Sequence, residues 1–290
     1  MKSYFDIQGD GGSNVVAQVE AQLEAIQSAL AGVRFRVAVG SGKGGVGKST
    51  VTMALAQALR AGGATVAILD ADFNGPCQAH LAGLTAAPWV PGARGLSVPR
   101  RPDGIGVVSM GSLVPADRPV SLETVSQGDE HVWRSTKEFA FLGQLMGSLD
   151  WGSLDYLLFD LPPGAERSVQ FADFLPADTL FALVTVPSDV ARGVVARSVA
   201  ALEAAGADMV GYVENMAGYY CQDCDEIKPL FPAATTPIPL PLLGRIPFDP
   251  ALAELCDRGW PEAESQDRPS AQAIEAVAQN LVLALEGRRS

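Results

Sequence analysis

A glycine-rich loop near the start of the chain carries the residues with the clearest chemistry. Residues 42–49 fit the phosphate-binding pattern G-x-x-x-x-G-K-[ST], and Lys43 places a second lysine inside the loop. Apolar residues at 34–40 predict a strand before the loop, and helical periodicity at 51–59 predicts a helix after it. In that context backbone N–H groups cradle phosphates, a lysine neutralises them and a hydroxyl can ligate Mg²⁺. The predicted nucleotide-binding residues are Gly42, Lys43, Gly44, Gly45, Val46, Gly47, Lys48, Ser49 and Thr50, with Ser49 also the predicted Mg²⁺ ligand.

Two aspartate motifs follow predicted strands and suit the hydrolysis of a nucleotide. Asp160 closes the apolar segment 155–159, as expected of an acid that holds Mg²⁺ through a water, and the Pro-Pro-Gly turn after it can sense a γ-phosphate. Asp70 and Asp72 end another strand, where one carboxylate could order the attacking water and the other support the metal. Each acid taken singly could also be a solvated loop acid or a helix N-cap. Beside the glycine loop, the sequence favours catalytic roles for Lys48, Asp72 and Asp160.

A C-x-x-C pair at Cys221 and Cys224 is a second chemical feature. Two thiolates at this spacing can bind one soft metal, although Zn²⁺ and [4Fe–4S] clusters usually take four protein ligands. A twofold dimer would supply four by pairing the two loops. A dithiol switch and a pair of inert cysteines remain as alternatives. Cys77 and Cys256 are isolated, and we expect them to be small buried hydrophobic residues. A role near the nucleotide is the alternative for Cys77, because it lies five residues after Asp72.

The elements that must position these residues alternate along the chain as apolar strands and helical segments. Strands this apolar are covered on both faces, so the predicted fold is α/β, a doubly wound, mostly parallel sheet with helices on both faces. Ligands of such sheets bind at the carboxyl ends of the strands, where the glycine loop, both aspartate motifs and residues 187–189 and 214–215 are expected to converge. The predicted strands are 34–40, 64–69, 104–110, 155–159, 180–185, 209–213 and 242–246.

The remaining segments suggest how the chain is divided. An amphipathic helix is predicted at 13–32, so residues 1–33 are interpreted as an N-terminal helical extension and 34–290 as a single P-loop ATPase domain. Residues 85–103 and 114–130 are predicted surface excursions, and the last helix is predicted at about 270–286.

Composition restricts the partners and the compartment. With 290 residues, 48% of them hydrophobic, the chain can bury a large core. The formal net charge of −12 argues against a nucleic-acid or anionic-membrane partner. No run of eighteen apolar residues occurs, and the N-terminus lacks the apolar core of a signal peptide. Four cysteines in a chain of this length do not form a disulfide framework, so a cytoplasmic location is expected.

The glycine loop with its extra lysine resembles the deviant Walker A motif of the ATPases that include MinD, ParA, ArsA and nitrogenase iron protein. Within that class the chain resembles the Mrp/ApbC family of iron–sulfur carrier ATPases, from about residue 34 to the C-terminus. A Glu-Asn-Met sequence ahead of a C-x-x-C pair is the most specific element of the resemblance. The matching segments are 41–50, 70–72 with 75–76, 133–134, 150–156, 160–164, 213–216, 221–224, 242–247 and 249–250.

The resemblance implies roles in ATP chemistry for individual residues. Lys43 would contact the nucleotide phosphates, reaching across a dimer, and Asn215 would read the adenine edge. Asp72 would activate water and Asp160 would organise Mg²⁺, giving slow ATP hydrolysis.

The resemblance also implies an iron–sulfur cargo. Cys221 and Cys224 would hold a [4Fe–4S] cluster between the subunits of a homodimer, for delivery to apo iron–sulfur proteins, with no nucleic-acid or membrane partner. The chain departs from the family pattern at Ala165, Glu166 and Arg167, where Thr-Gly-Asp is usual, and in the proline-rich stretch 232–241. A spatial-organising ATPase of the MinD or ParA kind and an ATPase with a structural zinc at the dimer interface are the alternative functions.

Overall fold

The central strands are runs of apolar residues that are buried on both faces of one sheet. The computed structural model describes residues 15–84, 89–92, 95–112, 130–260 and 268–288. Every residue of the strand at 66–70 is buried, as are the last five residues of the strand at 33–41. The strands of the described residues are β1 (Val33–Ser41), β2 (Val66–Asp70), β3 (Leu96–Ser97), β4 (Gly106–Val108), β5 (Leu149–Asp150), β6 (Leu154–Asp160), β7 (Leu180–Thr185), β8 (Met209–Cys221), β9 (Glu226–Lys228) and β10 (Leu242–Phe248).

Seven of these strands form a parallel sheet in the order β10-β8-β7-β1-β6-β2-β4, and β9, which lies outside this order, pairs antiparallel with the last residues of β8. β1 lies at the centre, with Val39 opposite Asp160 of β6 and Gly40 opposite Leu183 of β7. β2 also pairs with β6, and Asp70 lies opposite Asp160. The glycine loop and both aspartate motifs therefore meet at the carboxyl edge of the sheet, as the sequence predicts.

Helices cover both faces of the sheet. β1 alternates accordingly, with Val37 and Val39 in one apolar layer and Ala38 in the other. Residues of α2 and α8 fill the first layer, and residues of α1, α4, α5 and α6 fill the second. The prediction of a doubly wound, mostly parallel α/β fold is confirmed. The helices of the described residues are α1 (Val15–Ala29), α2 (Lys48–Ala61), α3 (Gln78–Leu81), α4 (Glu130–Ser148), α5 (Ala165–Phe174), α6 (Asp189–Ala204), α7 (Pro250–Asp257) and α8 (Pro269–Glu286).

The N-terminal helix α1 packs on α4. Ile26 is buried in the layer that α4 shares, and Gln22 Nε2 donates to the Ala140 carbonyl oxygen at 2.7 Å. The division of the chain at residue 33 stays a prediction. Within the described residues, none of the helices combines the length and apolar character needed to cross a bilayer.

Two expectations need correction, and a third reaches beyond the described residues. Glu214 and Asn215 do not follow a strand, because β8 continues through them to Cys221 and is supported on either side by β10 and β9. The segment 85–103 is not wholly superficial, since Val98 and Arg101 are buried at 6% and 4% exposure. The excursion predicted at 114–130 lies, up to residue 129, outside the described residues.

Candidate nucleotide and metal site

The glycine loop takes a conformation that glycine alone adopts easily at two positions. Gly45 and Gly47 both have φ of 77°, in the left-handed region. A Cβ on Gly47 would lie 2.2 Å from Asn215 Nδ2, whereas one on Gly45 would meet nothing within 4 Å. Helix α2 begins at Lys48, directly after the second of these glycines. The loop and the N-terminus of α2 therefore form the strand, loop and helix arrangement that binds phosphates.

Lys48 and Asp160 form a buried ion pair beneath the loop. The Lys48 ammonium donates to Asp160 Oδ1 and, at 3.1 Å, to Ser49 Oγ. Asp160 Oδ1 also accepts from Thr52 Oγ1 at 3.3 Å, and its Oδ2 accepts from Gln78 Nε2 at 2.8 Å. The lysine is 7% exposed and the aspartate is fully buried. The predicted phosphate-binding lysine and Mg²⁺-organising acid are therefore brought together.

Gln78 is a site residue that the sequence analysis missed. Its side-chain amide donates both to Asp160 and, at 2.9 Å, to the Ser49 carbonyl oxygen, so it links the start of α2 to the end of β6. The residue is fully buried, at the beginning of α3. No motif includes it, and only its position six residues after Asp72 could have indicated it.

The two aspartates after β2 have different environments. Asp70 is buried, and its Oδ2 accepts from the backbone N–H groups of Cys77 and Gln78 at 3.0 Å and from Ser109 Oγ at 2.8 Å. Burial, and then the charge of Asp160, raise the pKa of Asp70 to about 7. Asp70 therefore organises the turn from β2 into α3 and does not face solvent.

Asp72 is the more accessible of these two acids. It is half-buried, and its Oδ1 accepts from the backbone N–H groups of Asn74 and Gly75 at 3.2 Å. This turn fixes the carboxylate at the carboxyl edge of the sheet. Lys43 is exposed on the glycine loop, where Ser41 Oγ donates to its carbonyl oxygen at 3.0 Å.

Asn215 connects β8 to the glycine loop. Its Nδ2 donates to the Val46 carbonyl oxygen at 2.9 Å, and the residue is only 7% exposed. Met216 follows it with φ of 54°, an unusual value for a residue with a side chain. Thr50, at the other end of the loop, accepts a long contact of 3.9 Å from Cys256 Sγ. The structure therefore places Asn215 and Thr50 with the other predicted nucleotide-binding residues.

A buried carboxylate next to Asn215 is held by two arginines. Glu214 is fully buried, with Oε1 accepting from Arg192 Nε at 2.8 Å and Oε2 accepting from Arg245 Nε at 2.8 Å. Arg192 also reaches the carbonyl oxygens of Ala234 and Thr236 in the proline-rich stretch. This network fixes the middle of β8 between α6 and β10.

The two cysteines lie on a β-hairpin at the far end of β8. Cys221 is the last residue of β8 and pairs with Glu226 of β9, while Cys224 lies in the turn and is exposed. A hydrogen bond with the Cys224 side chain, followed by bonds from the backbone N–H groups of Cys224 and Asp223, lowers the pKa of the Cys221 thiol. The hairpin therefore presents two thiols that are suited to bind a thiophilic metal.

The two candidate metal sites differ in their donors. Ser49 and Asp160 supply hard oxygen atoms beside the phosphate loop, which fits Mg²⁺. The hairpin supplies sulfur, which fits iron–sulfur clusters and zinc. Among the described residues, three or more His, Cys, Asp or Glu side chains nowhere gather in a group that could hold a metal. One copy of the hairpin thus offers two cysteine sulfur atoms.

Comparison with known proteins agrees with this geometry. The chain is 31% identical over 280 residues to an iron-sulfur cluster carrier protein of Saccharolobus solfataricus, covering 94% of this chain and 91% of that one. It is 36% identical over 267 residues to the cytosolic Fe-S cluster assembly factor NUBP2 of Bos taurus, and the match covers 87% of this chain and 94% of that one.

Solved structures resemble the chain in the same way. A nucleotide-binding protein of Archaeoglobus fulgidus in complex with ADP is 33% identical, with a TM-score of 0.67, covering 82% of this chain and 91% of that one. The chain also shares its fold with the septum site-determining protein MinD of Pyrococcus horikoshii, solved as a complex with Mg-ADP. That structure is 21% identical with a TM-score of 0.56, and the match covers 89% of this chain and 99% of that one. A family model described as ParA, NUBPL iron-transfer P-loop NTPase, matches residues 32–282. The chain therefore belongs to the NUBPL iron-transfer family of P-loop NTPases.

Proposed function

We propose that this protein is an ATP-hydrolysing iron–sulfur carrier, in which Cys221 and Cys224 of two copies hold one [4Fe–4S] cluster for delivery to apo-proteins. The observation that carries the proposal is the course of β8. This strand contacts the glycine loop through Asn215 and ends, six residues later, at Cys221. One strand thus connects the proposed nucleotide site to a pair of thiols.

The proposed ATPase chemistry uses the residues gathered at the carboxyl edge of the sheet. Lys48 would transfer its contact from Asp160 to the terminal phosphates when ATP binds. Mg²⁺, held by Ser49 and organised by Asp160, would neutralise phosphate charge. Asp72 would orient the attacking water, Lys43 would reach the phosphates of the second copy, and Asn215 would contact the adenine.

The proposed cargo chemistry requires the second copy. A [4Fe–4S] cluster takes four thiolates and one hairpin supplies two, so a twofold axis at the hairpins completes the set. Nucleotide state would alter the arrangement of the copies and hence cluster retention, and cluster binding must alter nucleotide affinity by the same factor. A relative is named a cytosolic assembly factor, and we assign this chain to the cytoplasm by analogy.

The cargo is tested by measuring iron, acid-labile sulfide and zinc per dimer after anaerobic reconstitution. We expect about four iron and four sulfide per dimer in the wild type, and none in the Cys221→Ala, Cys224→Ala variant. The Cys77→Ala, Cys256→Ala variant is the matched control, because it also lacks two of the four cysteines. Zinc alone, or iron that survives loss of the hairpin cysteines, would contradict the carrier function.

The hydrolytic role of Asp72 is tested by Asp72→Asn. This change keeps the hydrogen-bond acceptor for the turn N–H groups but removes the negative charge. We expect ATP to bind within a few-fold of wild type and turnover to fall by about 10²-fold or more, since a general base typically contributes about 10²–10⁴-fold. Phosphate release and ATP binding are measured separately. Normal turnover would show that another group orients the water.

A further inference from the structure

A largely buried ion pair joins α4 to the first turn of α5, directly after the Pro-Pro-Gly turn. Arg167 Nη2 donates to Glu138 Oε2 at 2.7 Å, and its Nη1 donates to Gln170 Oε1 at 2.9 Å. The Glu138 side chain is 7% exposed and that of Arg167 is 22% exposed. A carboxylate buried to this degree depends on its cationic partner. The arginine is therefore firmly attached to α4.

Aromatic rings fix the same guanidinium from another side. The guanidinium carbon of Arg167 lies 5.5 Å from the centre of the Phe139 ring and 5.6 Å from that of Phe171, within the range of cation–π attraction. Phe139 also packs on Phe171 and Phe174 of α5, with ring centres 5.0 and 4.9 Å apart. Residues of both α4 and α5 therefore contact the Arg167 guanidinium.

The first turn of α5 in turn adjoins the phosphate loop. Gly164, the residue before α5, donates its N–H to the Ser41 carbonyl oxygen at 2.8 Å. Ser168 is fully buried, donates from Oγ to the Gly164 carbonyl oxygen at 3.1 Å and packs against Gly40 of β1. A Cβ on Gly44 would lie 3.9 Å from Pro163 Cγ. The Pro-Pro-Gly turn therefore lies between the phosphate loop and a helix that Arg167 holds.

We propose that Arg167 is a positioning residue for this turn, and that its attachment to Glu138 makes the site distinguish ATP from ADP. The proposal rests on the proposed function, because it requires a nucleotide in the glycine loop. The Gly164 N–H is the last donor before α5, so its direction follows the first turn of the helix. A third phosphate would compete with Ser41 for this N–H, and a fixed α5 limits the positions in which the N–H can serve it.

The experiment compares affinity for ADP with affinity for a non-hydrolysable ATP analogue, by titration calorimetry with Mg²⁺. In Arg167→Met we expect the preference for the analogue over ADP to fall about tenfold, the net contribution of one hydrogen bond, with ADP affinity within twofold of wild type. Arg167→Lys should restore part of the preference, because it keeps the charge. Arg167→Met with Glu138→Gln should recover stability, because the buried carboxylate that Arg167 neutralises is removed as well, but it should not recover the preference.

Arg36→Met is the matched control for loss of a largely buried arginine. Arg36 is paired with Asp178 and the Leu30 carbonyl oxygen, away from the turn, and its side chain is 10% exposed. We expect it to lower stability and leave the nucleotide preference unchanged. An unchanged preference in Arg167→Met, an equal loss in Arg36→Met, or a wild type without any preference would overturn the inference. Phosphate release by the wild type, measured separately, tests the proposed ATPase.

Discussion

Lys48 contributes to the stability of the fold as well as to the candidate nucleotide site. Its ammonium is the cationic partner of the fully buried Asp160. Breaking a buried ion pair from one side usually costs about 3–5 kcal/mol, because the remaining charge stays buried. We therefore expect Lys48→Met to lower the free energy of unfolding by about that amount and to abolish ATP binding.

The control for this prediction removes the second charge. In the Lys48→Met, Asp160→Asn variant the amide can still bond to Thr52 and Gln78, so no charge is stranded. We expect the double variant to regain most of the stability in urea denaturation while still binding no ATP. If Lys48→Met alone is as stable as wild type, the ion pair does not contribute to the fold.

Asp70 should make stability depend on pH in a direction unusual for an aspartate. Its pKa is raised to about 7 by burial and by Asp160. Between its ordinary pKa near 4 and this value, the folded protein keeps a proton that the unfolded chain loses. As the pH rises through that window, the free energy of unfolding should therefore fall by up to about 1.4 kcal/mol per pH unit. Above about pH 7, where the folded protein has also lost the proton, it should change little.

Asp70→Asn tests this dependence because the amide does not titrate. We measure the free energy of unfolding of both proteins in urea and subtract the value for Asp70→Asn from that of the wild type. We expect this difference to fall as the pH rises from about 4 to about 7. Asp189→Asn is the control of opposite sign, since backbone N–H groups of Thr236 and Thr235 lower the pKa of Asp189. The contribution of Asp189 is present above its ordinary pKa and is lost in more acidic solution. A flat difference for Asp70→Asn would contradict the assignment.

Residue types in a pattern were enough to predict which residues the fold brings together at the candidate site, but not the contacts among them. The phosphate loop was identifiable because its spacing follows from how phosphate is bound, and Asp160 because it closes an apolar strand. Gln78 and Ser109 were not, because they reach the aspartates through the fold and belong to no pattern. The burial of Asp70 was also missed, since an acid after a strand gives no indication of what will cover it.

At the scale of elements, the glycine loop and β8 are fitted to each other through Gly47 and Asn215. Alanine at Gly47 or Gly45 meets the same backbone strain, about 1–2 kcal/mol in the left-handed region, because both have φ of 77°. Only at Gly47 would the Cβ also collide with Asn215 Nδ2. We expect Gly47→Ala to lower the thermal unfolding midpoint clearly more than Gly45→Ala does.

The role of β8 in this difference is tested by adding Asn215→Ala to each glycine variant. In the wild type or in Gly45→Ala, Asn215→Ala removes only the hydrogen bond to the Val46 carbonyl oxygen, so it should lower the unfolding midpoint of that protein. In Gly47→Ala, Asn215→Ala also removes the collision with the new Cβ, so the double variant should unfold at a higher temperature than Gly47→Ala alone. An equal loss in both backgrounds would show that the loop avoids Asn215 by moving elsewhere.

Apolar runs were enough to predict the seven strands of the parallel sheet, but not the short strands β3, β5 and β9, nor how far β8 extends. Its apolar part ends before Glu214, which resembles the end of a strand. The strand continues because Arg192 and Arg245 neutralise the buried carboxylate and because β9 pairs with its last residues. Both causes are tertiary contacts, so local periodicity could not show that the glycine loop and the cysteine hairpin share one strand.

At the scale of the whole molecule, net charge should oppose the dimer that the proposed function requires. Each chain carries a formal charge of −12, so two copies repel each other at long range. Salt shortens the screening length from about 30 Å at 10 mM to about 8 Å at 150 mM. We therefore expect the cluster-loaded dimer to dissociate less at 150 mM than at 10 mM salt, as measured by sedimentation equilibrium.

A charge variant separates net repulsion from the contacts at the interface. Glu24 and Glu203 are exposed on α1 and α6, and replacing both with lysine adds two charges at each position, changing −12 to −8. If net charge governs assembly, the Glu24→Lys, Glu203→Lys variant should dimerise more tightly at 10 mM salt and respond less to added salt. A wild-type dimer that weakens as salt is added would instead indicate that opposite charges meet across the interface. The acidic balance of the chain would then be concentrated away from the cysteine hairpins, and attraction between local charges would determine how the two copies assemble.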